Sequence, residues 1–317
     1  MTDAPRDGQG CPICRALRLS MLTPFDRPEC KVIHCDACGY EAIRPLPTRA
    51  QLEAVYNDFN VTQVTEEDLR FMVDGSTQFL RHFLSNTELR SKATAGLRYL
   101  DVGLGNGASM IAAAKLGFQA FGTDIDAAGV ARMRETAFRY GVSMECTATD
   151  IHDYRRDLRF DLVRTSHVIE LVLNPRQFVA DIAQRQASGG HLIVECHNND
   201  GAFWRVKNLL RKRHGRMNFF NSLKIGELIS GFTPRSMEIL LKSAGYTVLR
   251  SRDYALRDKL LDPEQRLWYP SVAKGAWLAL RHRWPYPFFK SLIPVFDQAA
   301  SLLAGRGSQL HVWAQKL

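Results

Sequence analysis

The chain has 317 residues, of which 45% are hydrophobic and 24% are charged, as in an ordinary globular protein. It begins without an apolar leader and nowhere runs to about 18 uninterrupted apolar residues, so the sequence predicts neither a secretory signal nor a membrane-spanning helix. The net charge of +9 favours anionic partners without choosing between nucleic acid, a lipid surface and an anionic small molecule. The expected location is the cytoplasm, including the inner surface of the membrane.

Cysteines dominate the first part of the chain. Two C-x-x-C pairs, 20 residues apart, consist of Cys11, Cys14, Cys35 and Cys38. Two such turns aim four thiolates at one point, which suits tetrahedral Zn²⁺ in a structural site with no open position. Cys30 and His34 are alternative ligands. We therefore predict a small zinc ribbon over residues 1–46.

A helical linker or lid is predicted over residues 47–92. Pro45 and Pro47 close the ribbon, and Thr48 can cap the helix RAQLEAVYNDF, which carries apolar residues on one face. A second helix is predicted from Ser76, because apolar residues recur there at helical spacing.

Strands alternate with helices from residue 93 onward. The segments LRYLDVG, QAFGTDI, SMECTAT, FDLVRTS and HLIVEC are predicted strands, and the helices between them end at Gly117 and Gly141 or begin at Asn174–Pro175. This order implies right-handed crossovers and a mostly parallel, doubly wound α/β sheet of the Rossmann-like kind. TPRSMEILLKSAGYTVLRSRDY adds a helix and a strand, and QLHVWAQKL a last, antiparallel strand.

The stretch YLDVGLGNGASM joins the first of these strands to a helix. Read from Gly103, it fits the dinucleotide pattern G-x-G-x-x-G/A; read from Asp101, it fits D-x-G-x-G-x-G, which is associated with S-adenosylmethionine (SAM). Asp124, at the end of the second strand, suits the ribose of either cofactor. Asp101 discriminates, because a pyrophosphate repels a carboxylate whereas the cationic groups of SAM attract it. Asp150 and the apolar Ile151 end the third strand, where they suit an adenine.

Residues from about 97 to 200 resemble a class I SAM-dependent methyltransferase. LDVGLGNG is similar to the first motif of that family, GTDID to the second, FDLVRTSHVIELVLNP to the fourth-strand motif and ASGGHLIVEC to the turn and strand that follow. The segment CPIC…CDACG resembles the zinc-ribbon leader of bacterial sugar and surface-glycan-cluster methyltransferases. The resemblance implies a domain over residues 93–317 in which SAM contacts Asp101, Gly103, Gly105, Asn106, Gly107, Asp124, Ile125, Asp150 and Ile151.

Candidate catalytic residues follow the fourth and fifth strands, because ligands of such sheets bind at the carboxyl edge. They are His167, Glu170 and His197, and we prefer His197 as the general base because an imidazole just past a strand end faces the acceptor cleft. His167 is equally well explained as a structural residue near the cofactor. Some quinone-type O-methyltransferases hold a divalent ion with a His at the position of Leu171, and its absence here weakens the case for such an ion. His152 is interpreted as part of a solvated loop.

Two stretches at about 200–231 and 255–307 interrupt the alternation and are interpreted as insertions. They contain RVKNLLRKRHGR, with seven basic side chains, and ALRHRWPYPFFKSLIPVF, which mixes cations with aromatics. The first can be a solvated basic helix face, or can contact an anionic acceptor or a membrane surface. The second has a composition suited to a lipid interface, and is equally well explained by core packing against the catalytic domain.

Together these features predict methyl transfer, preferably to oxygen, on an anionic small-molecule, nucleotide-linked or lipid-linked sugar acceptor. An alternative is an RNA methyltransferase whose ribbon and basic stretches contact phosphates, although the basic stretches lack interleaved aromatics near the ribbon and the ribbon itself is not notably cationic. Asp101 argues against a dehydrogenase, and the intact set of SAM motifs argues against a non-catalytic scaffold.

Overall fold

The structure is a computed structural model that describes residues 10–22, 31–52, 64–91, 94–202, 205, 228–254, 276–277, 279–281 and 286–317. Within these residues no helix is both long and apolar enough to cross a membrane. The strands are β1 (Leu19–Leu22), β2 (Lys31–Cys35), β3 (Glu41–Arg44), β4 (Arg98–Val102), β5 (Gln119–Asp124), β6 (Met144–Ala148), β7 (Phe160–Ser166), β8 (Gln186–His197), β9 (Ser230–Gly231), β10 (Tyr246–Tyr254) and β11 (Gln309–Lys316). The helices are α1 (Glu66–Ser85), α2 (Ala108–Lys115), α3 (Ala127–Tyr140), α4 (Pro175–Arg185), α5 (Pro234–Ser243) and α6 (Tyr286–Ala304).

A seven-stranded sheet forms the centre of the fold, in the order β10-β11-β8-β7-β4-β5-β6. The five strands from β8 to β6 are parallel, whereas β11 is antiparallel to both of its neighbours, β8 and β10. The predicted doubly wound, mostly parallel sheet with an antiparallel last strand is therefore confirmed. The carboxyl ends of the parallel strands meet at one edge, which positions the residues that follow them.

Alternate side chains of the central strands enter two different cores. In β8, Leu192 and Val194 pack with α4 and α5, whereas Ile193 between them packs with α1 and α2 on the other face. Successive strand residues point to opposite faces, so a strand that is buried on both faces carries consecutive apolar residues, as Leu192, Ile193 and Val194 do.

The four-cysteine segment, which we call the ribbon, pairs with β9 to form a second, antiparallel sheet in the order β1-β2-β3-β9. The fourth strand of this sheet, β9, comes from a stretch that the sequence assigns to an insertion. The ribbon shares one core with α4 and α5, and the rings of Tyr40 and Phe232 lie 5.3 Å apart within it. Tertiary packing thus supplies a core that a segment of this size lacks on its own.

Some element boundaries differ from those predicted. Helix α1 begins at Glu66 rather than at Ser76, because Thr65 caps it by accepting from the Asp68 amide and three acidic residues occupy its first turn. Strand β8 includes the ASGG segment predicted as a turn. Of RAQLEAVYNDF, only residues 49–52 are described, and they are helical; the rest lies outside the described residues, as do 206–216 and 255–275.

Candidate active site

The glycine turn after β4 leaves open space at its tip. Gly103 has φ of +78°, and a Cβ added there would lie 2.2 Å from Cγ2 of Val168, so this position requires glycine. Gly105 also has positive φ, but a Cβ there would have no neighbour within 4 Å. The turn is therefore packed against the 167–171 loop on one side and open on the other, which is the shape of a cradle for a small molecule.

The three predicted acids lie at the carboxyl edge of adjacent strands. Asp101 is in β4 and only 3% exposed. Asp124 ends β5, and its two oxygens accept from the amides of Gly105 (3.3 Å) and Asp126 (3.0 Å). Burial raises the pKa of Asp124 above its ordinary value, despite these hydrogen bonds. The Asp124 carboxylate thus joins β5 to the glycine turn.

The third acid, Asp150, and its neighbours lie at the same sheet edge, after β6. Asp150 follows β6 and accepts from the His152 amide at 2.8 Å, and Ile151 beside it is buried. Ile125, in contrast, is 43% exposed although it is apolar and follows directly after Asp124. An exposed isoleucine beside an open turn offers an apolar surface to a planar ring.

Asn106 has a structural role within the turn. Its Oδ1 accepts from the Ala108 amide at 3.0 Å in the first turn of α2, and its Nδ2 approaches Sδ of Met72 at 3.4 Å. These contacts use both ends of the Asn106 amide, so it shapes the turn and connects it to α1.

The predicted catalytic residues converge on one buried carboxylate. Glu170 is fully buried, and its Oε1 lies 2.6 Å from Nδ1 of His197, while its Oε2 lies 3.3 Å from Nδ1 of His167. The two imidazole rings are 4.8 Å apart. About a quarter of the His197 side chain (26%) and 31% of that of His167 remain exposed. The pair His197–Glu170 therefore joins a buried acid to a partly exposed imidazole.

The electrostatics of Glu170 favour its ionised form. Burial alone raises its pKa, but the charges and hydrogen bonds of His197 and His167 outweigh burial and hold the pKa well below its usual range. Oε1 also accepts from the His197 amide at 2.9 Å. An imidazole whose Nδ1 donates to such a carboxylate carries its lone pair on Nε2, where it can accept a proton.

The loop that carries these residues is constrained. His167 has φ of +55°, a left-handed conformation that is uncommon for residues with a side chain.

His152 was predicted to lie in a solvated loop. Its side chain is 44% exposed, and its Nδ1 lies 3.0 Å from the buried carboxylate of Asp181.

The four ribbon cysteines fit a tetrahedral metal site. The sulfurs of Cys11 and Cys38 lie 3.6 Å apart and those of Cys14 and Cys35 3.5 Å apart, and all four lie within 4.8 Å of one another as free thiols. Zinc–sulfur bonds of about 2.3 Å in a tetrahedron require sulfurs roughly 3.8 Å apart, close to what is found. The hydrogen bond between Cys11 and Cys38 lowers the pKa of Cys11 and raises that of Cys38, so the two thiols share a proton that a bound metal would replace. Of the alternative ligands, His34 pairs with Glu41, and Cys30 lies outside the described residues.

Sequence reasoning missed the backbone groups that hold the 167–171 loop. The amides of Ile229 and Ser230 both donate to the Glu170 carbonyl, at 2.9 and 3.1 Å. These residues lie in a stretch without periodicity, so nothing in the sequence pattern indicates their pairing.

Comparisons with known proteins place the chain in a family. The family described as "Methyltransferase domain" matches residues 76–251, more than half of the chain. Ribosomal protein L11 methyltransferase of Geobacter sulfurreducens is 38% identical over 98 residues, which are 31% of each protein. Ubiquinone biosynthesis O-methyltransferase of a Bradyrhizobium species is 30% identical over 106 residues, 33% of this chain and 42% of that protein. The matches thus span less than half the length of these relatives.

A solved structure extends the similarity to most of the fold. It is a complex between the Haloferax volcanii Trm112 methyltransferase activator and a putative methyltransferase, with a TM-score of 0.51 and 14% identity over 85% of this chain and 97% of that one. At this identity the match concerns the fold alone. With the matched family and the glycine cradle, it leads to one conclusion: the chain belongs to the methyltransferase-domain family.

Proposed function

We propose that this enzyme methylates a hydroxyl group, with His197 as general base and Glu170 as the residue that orients and charges it. The observation that carries the proposal is the 2.6 Å contact between Nδ1 of His197 and a fully buried carboxylate. That contact directs the basic Nε2 away from Glu170 and stabilises the imidazolium that forms when His197 takes a proton.

SAM, when bound, supplies an electrophilic methyl group on a sulfonium. The acceptor oxygen forms a bond to the methyl carbon as the carbon–sulfur bond breaks, the bonding pair stays on sulfur, and the acceptor proton goes to Nε2 of His197. The protein's contribution is to align the acceptor and to take up this proton. His167, whose ring lies 4.8 Å from that of His197, completes the wall of the site.

The SAM-binding residues are also part of the proposal. Asp101 holds the methionine amino group, Asp124 the ribose hydroxyls, and Asp150 with Ile151 the adenine, on which the exposed Ile125 also packs. Gly103, Gly105 and Gly107 bring the backbone close to the methionine part, and Asn106 shapes the turn. The open space at Gly105 and the exposure of Ile125 support this arrangement.

The proposed acceptor is an anionic sugar attached to a nucleotide or a lipid. The net charge of +9 supports an anionic acceptor. Helix α6 exposes Phe296, Leu302 and Leu303, and Arg281 lies 4.9 Å over the ring of Trp277 nearby, which supports contact with a lipid surface. One of the relatives described above is named as an O-methyltransferase, in keeping with transfer to oxygen. We also propose that the ribbon cysteines hold one structural Zn²⁺.

The test is His197→Ala, with His82→Ala on α1 as the matched control. Loss of the base is expected to lower kcat by about 10²–10⁴-fold while SAM binding is kept, because His197 contacts the acceptor side only. SAM affinity is measured by calorimetry, and turnover by transfer of labelled methyl groups into a cell extract that is then fractionated into lipid, glycan, RNA and small molecules. Full activity of His197→Ala would refute the base, and label in RNA would favour the alternative of an RNA methyltransferase.

A further inference from the structure

Hydrogen bonds connect the ribbon to the loop that carries the proposed catalytic carboxylate. The Glu170 carbonyl accepts from Ile229 and Ser230, at the beginning of β9. On its other side β9 pairs with the ribbon strand β3, where Ala42 is the partner of Ser230 and the Ile43 amide donates to the Ile229 carbonyl at 3.0 Å. Strand β9 therefore lies between the ribbon and Glu170 and is bonded to both.

The cysteine turns are tied to the large domain by a second set of contacts. Arg176, at the beginning of α4, donates to the carbonyls of Pro12 (2.7 Å) and Ile13 (2.6 Å), which lie between the first two cysteines. Thr233, the N-cap of α5, donates to the Cys38 carbonyl at 2.8 Å. A metal that fixes the cysteine turns also fixes these carbonyls, and with them the side of the ribbon that faces β9 and α4.

A side-chain contact joins the ribbon to the end of β8. Glu41 of β3 accepts from Nδ2 of Asn199 at 2.8 Å, two residues beyond His197, and its other oxygen lies 2.9 Å from Nδ1 of His34. Both segments of the proposed acceptor site are thus connected to the ribbon. The 167–171 loop is connected through β9, and the end of β8 through Glu41.

The SAM cradle is held by different contacts. The Gly103 amide donates to the Thr123 carbonyl at 2.8 Å, and the Gly105 amide donates to Asp124, so β5 supports this turn. The ribbon makes none of these hydrogen bonds, and the cradle meets the 167–171 loop only through the packing of Val168 on Gly103.

We infer that the ribbon is a positioning element of the methyl-transfer site, whose metal-loaded form fixes the Glu170–His197 pair but is not needed to bind SAM. The inference rests on the proposed function of that pair. Displacement of a catalytic group by about 1 Å can cost on the order of 10²-fold in rate, so modest movement of β9 is sufficient to stop transfer.

The experiment compares Arg176→Met with Arg155→Met in the full-length protein. Arg155 is a suitable control because its ion pairs with Glu145 and Asp157 lie on the surface and involve no ribbon residue. Three quantities are measured: SAM affinity by calorimetry, amide hydrogen exchange of residues 228–232, and labelled-methyl transfer into a cell extract at saturating SAM. For Arg176→Met we expect roughly tenfold to a hundredfold slower transfer and faster exchange at Ile229 and Ser230, with SAM affinity within about twofold of wild type.

Metal removal supplies a second test that needs no substitution. Wild-type protein treated with a zinc chelator is expected to reproduce the same pattern, and added Zn²⁺ to reverse it. This keeps the inference testable if Arg176→Met does not fold.

Unchanged exchange and transfer after both perturbations would overturn the inference, and so would SAM affinity lost in parallel with transfer. The outcome for His197→Ala separates the two claims. If His197→Ala is inactive while the ribbon perturbations have no effect, the base assignment stands and the positioning role fails. If His197→Ala is fully active but ribbon perturbation slows transfer and speeds exchange, the base is wrong and the ribbon positions a different group.

Discussion

Substitution of Gly103 tests how closely the SAM turn packs against the catalytic loop. Alanine at this position incurs two costs: about 1–2 kcal/mol for a side chain in the left-handed conformation, and about 1–3 kcal/mol for overpacking against Val168. Valine is stiff about χ1, so its Cγ2, 2.2 Å from the new Cβ, cannot move aside freely. Gly103→Ala is therefore expected to lower the free energy of unfolding by about 2–5 kcal/mol, a large part of the 5–15 kcal/mol typical of a protein.

Gly141→Ala is the matched control, because Gly141 has φ of +62° but a Cβ there would have no neighbour within 4 Å. Gly141→Ala should lower the free energy of unfolding only by the cost of the left-handed conformation, about 1–2 kcal/mol. Urea unfolding of both variants gives the difference, and a double-mutant cycle with Val168→Ala isolates the contact. Equal losses for the two glycine variants, with no coupling between Gly103→Ala and Val168→Ala, would refute the packing argument.

Two further predictions concern the cofactor and the metal. In the proposed site the ionised form of Asp124 accepts the ribose hydroxyls, and burial raises the pKa of this carboxyl. SAM affinity should therefore be complete at neutral pH and, on acidification, should begin to fall at a pH above the ordinary aspartate pKa. Calorimetry should show this fall for wild type, and a weak, pH-independent affinity for Asp124→Asn. An affinity midpoint at or below the ordinary aspartate range would contradict it. Cys38→Ser should bind less than one zinc ion per chain by elemental analysis and unfold at lower urea than wild type, whereas full zinc content would argue against a four-cysteine site.

The sequence predicted the strand, glycine turn and helix of the proposed SAM site well, because their signals are local. A strand, a glycine turn and a helix lie next to one another in the chain, so Asp101, Gly103 and Asp124 could be placed from spacing alone. The candidates His167, Glu170 and His197 could be placed at one sheet edge, because parallel strands bring their carboxyl ends together.

The contacts among these groups could not be predicted in the same way. The distances from the two imidazoles to Glu170 depend on the left-handed turn at His167 and on the pairing of β7 with β8. Strand β9 has only two residues and no periodic pattern, and its partner β3 lies far away in the sequence, so its role is set entirely by tertiary packing. The early beginning of α1 does have a signal in the sequence, the Thr65 cap followed by three acidic residues, but the prediction used only the apolar spacing from Ser76 onward.

The pairing of β3 with β9 also has a consequence for synthesis on the ribosome. The cysteine turns and strands β1 to β3 emerge early, but Arg176, β9 and Thr233, which bind them, are made much later. Until then β3 is an unprotected edge strand, the kind of surface on which nascent chains associate with one another. A metal bound early by the cysteines would keep strands β1 to β3 folded during this interval. Zinc supply is therefore expected to limit the yield of soluble enzyme as well as the rate of methyl transfer.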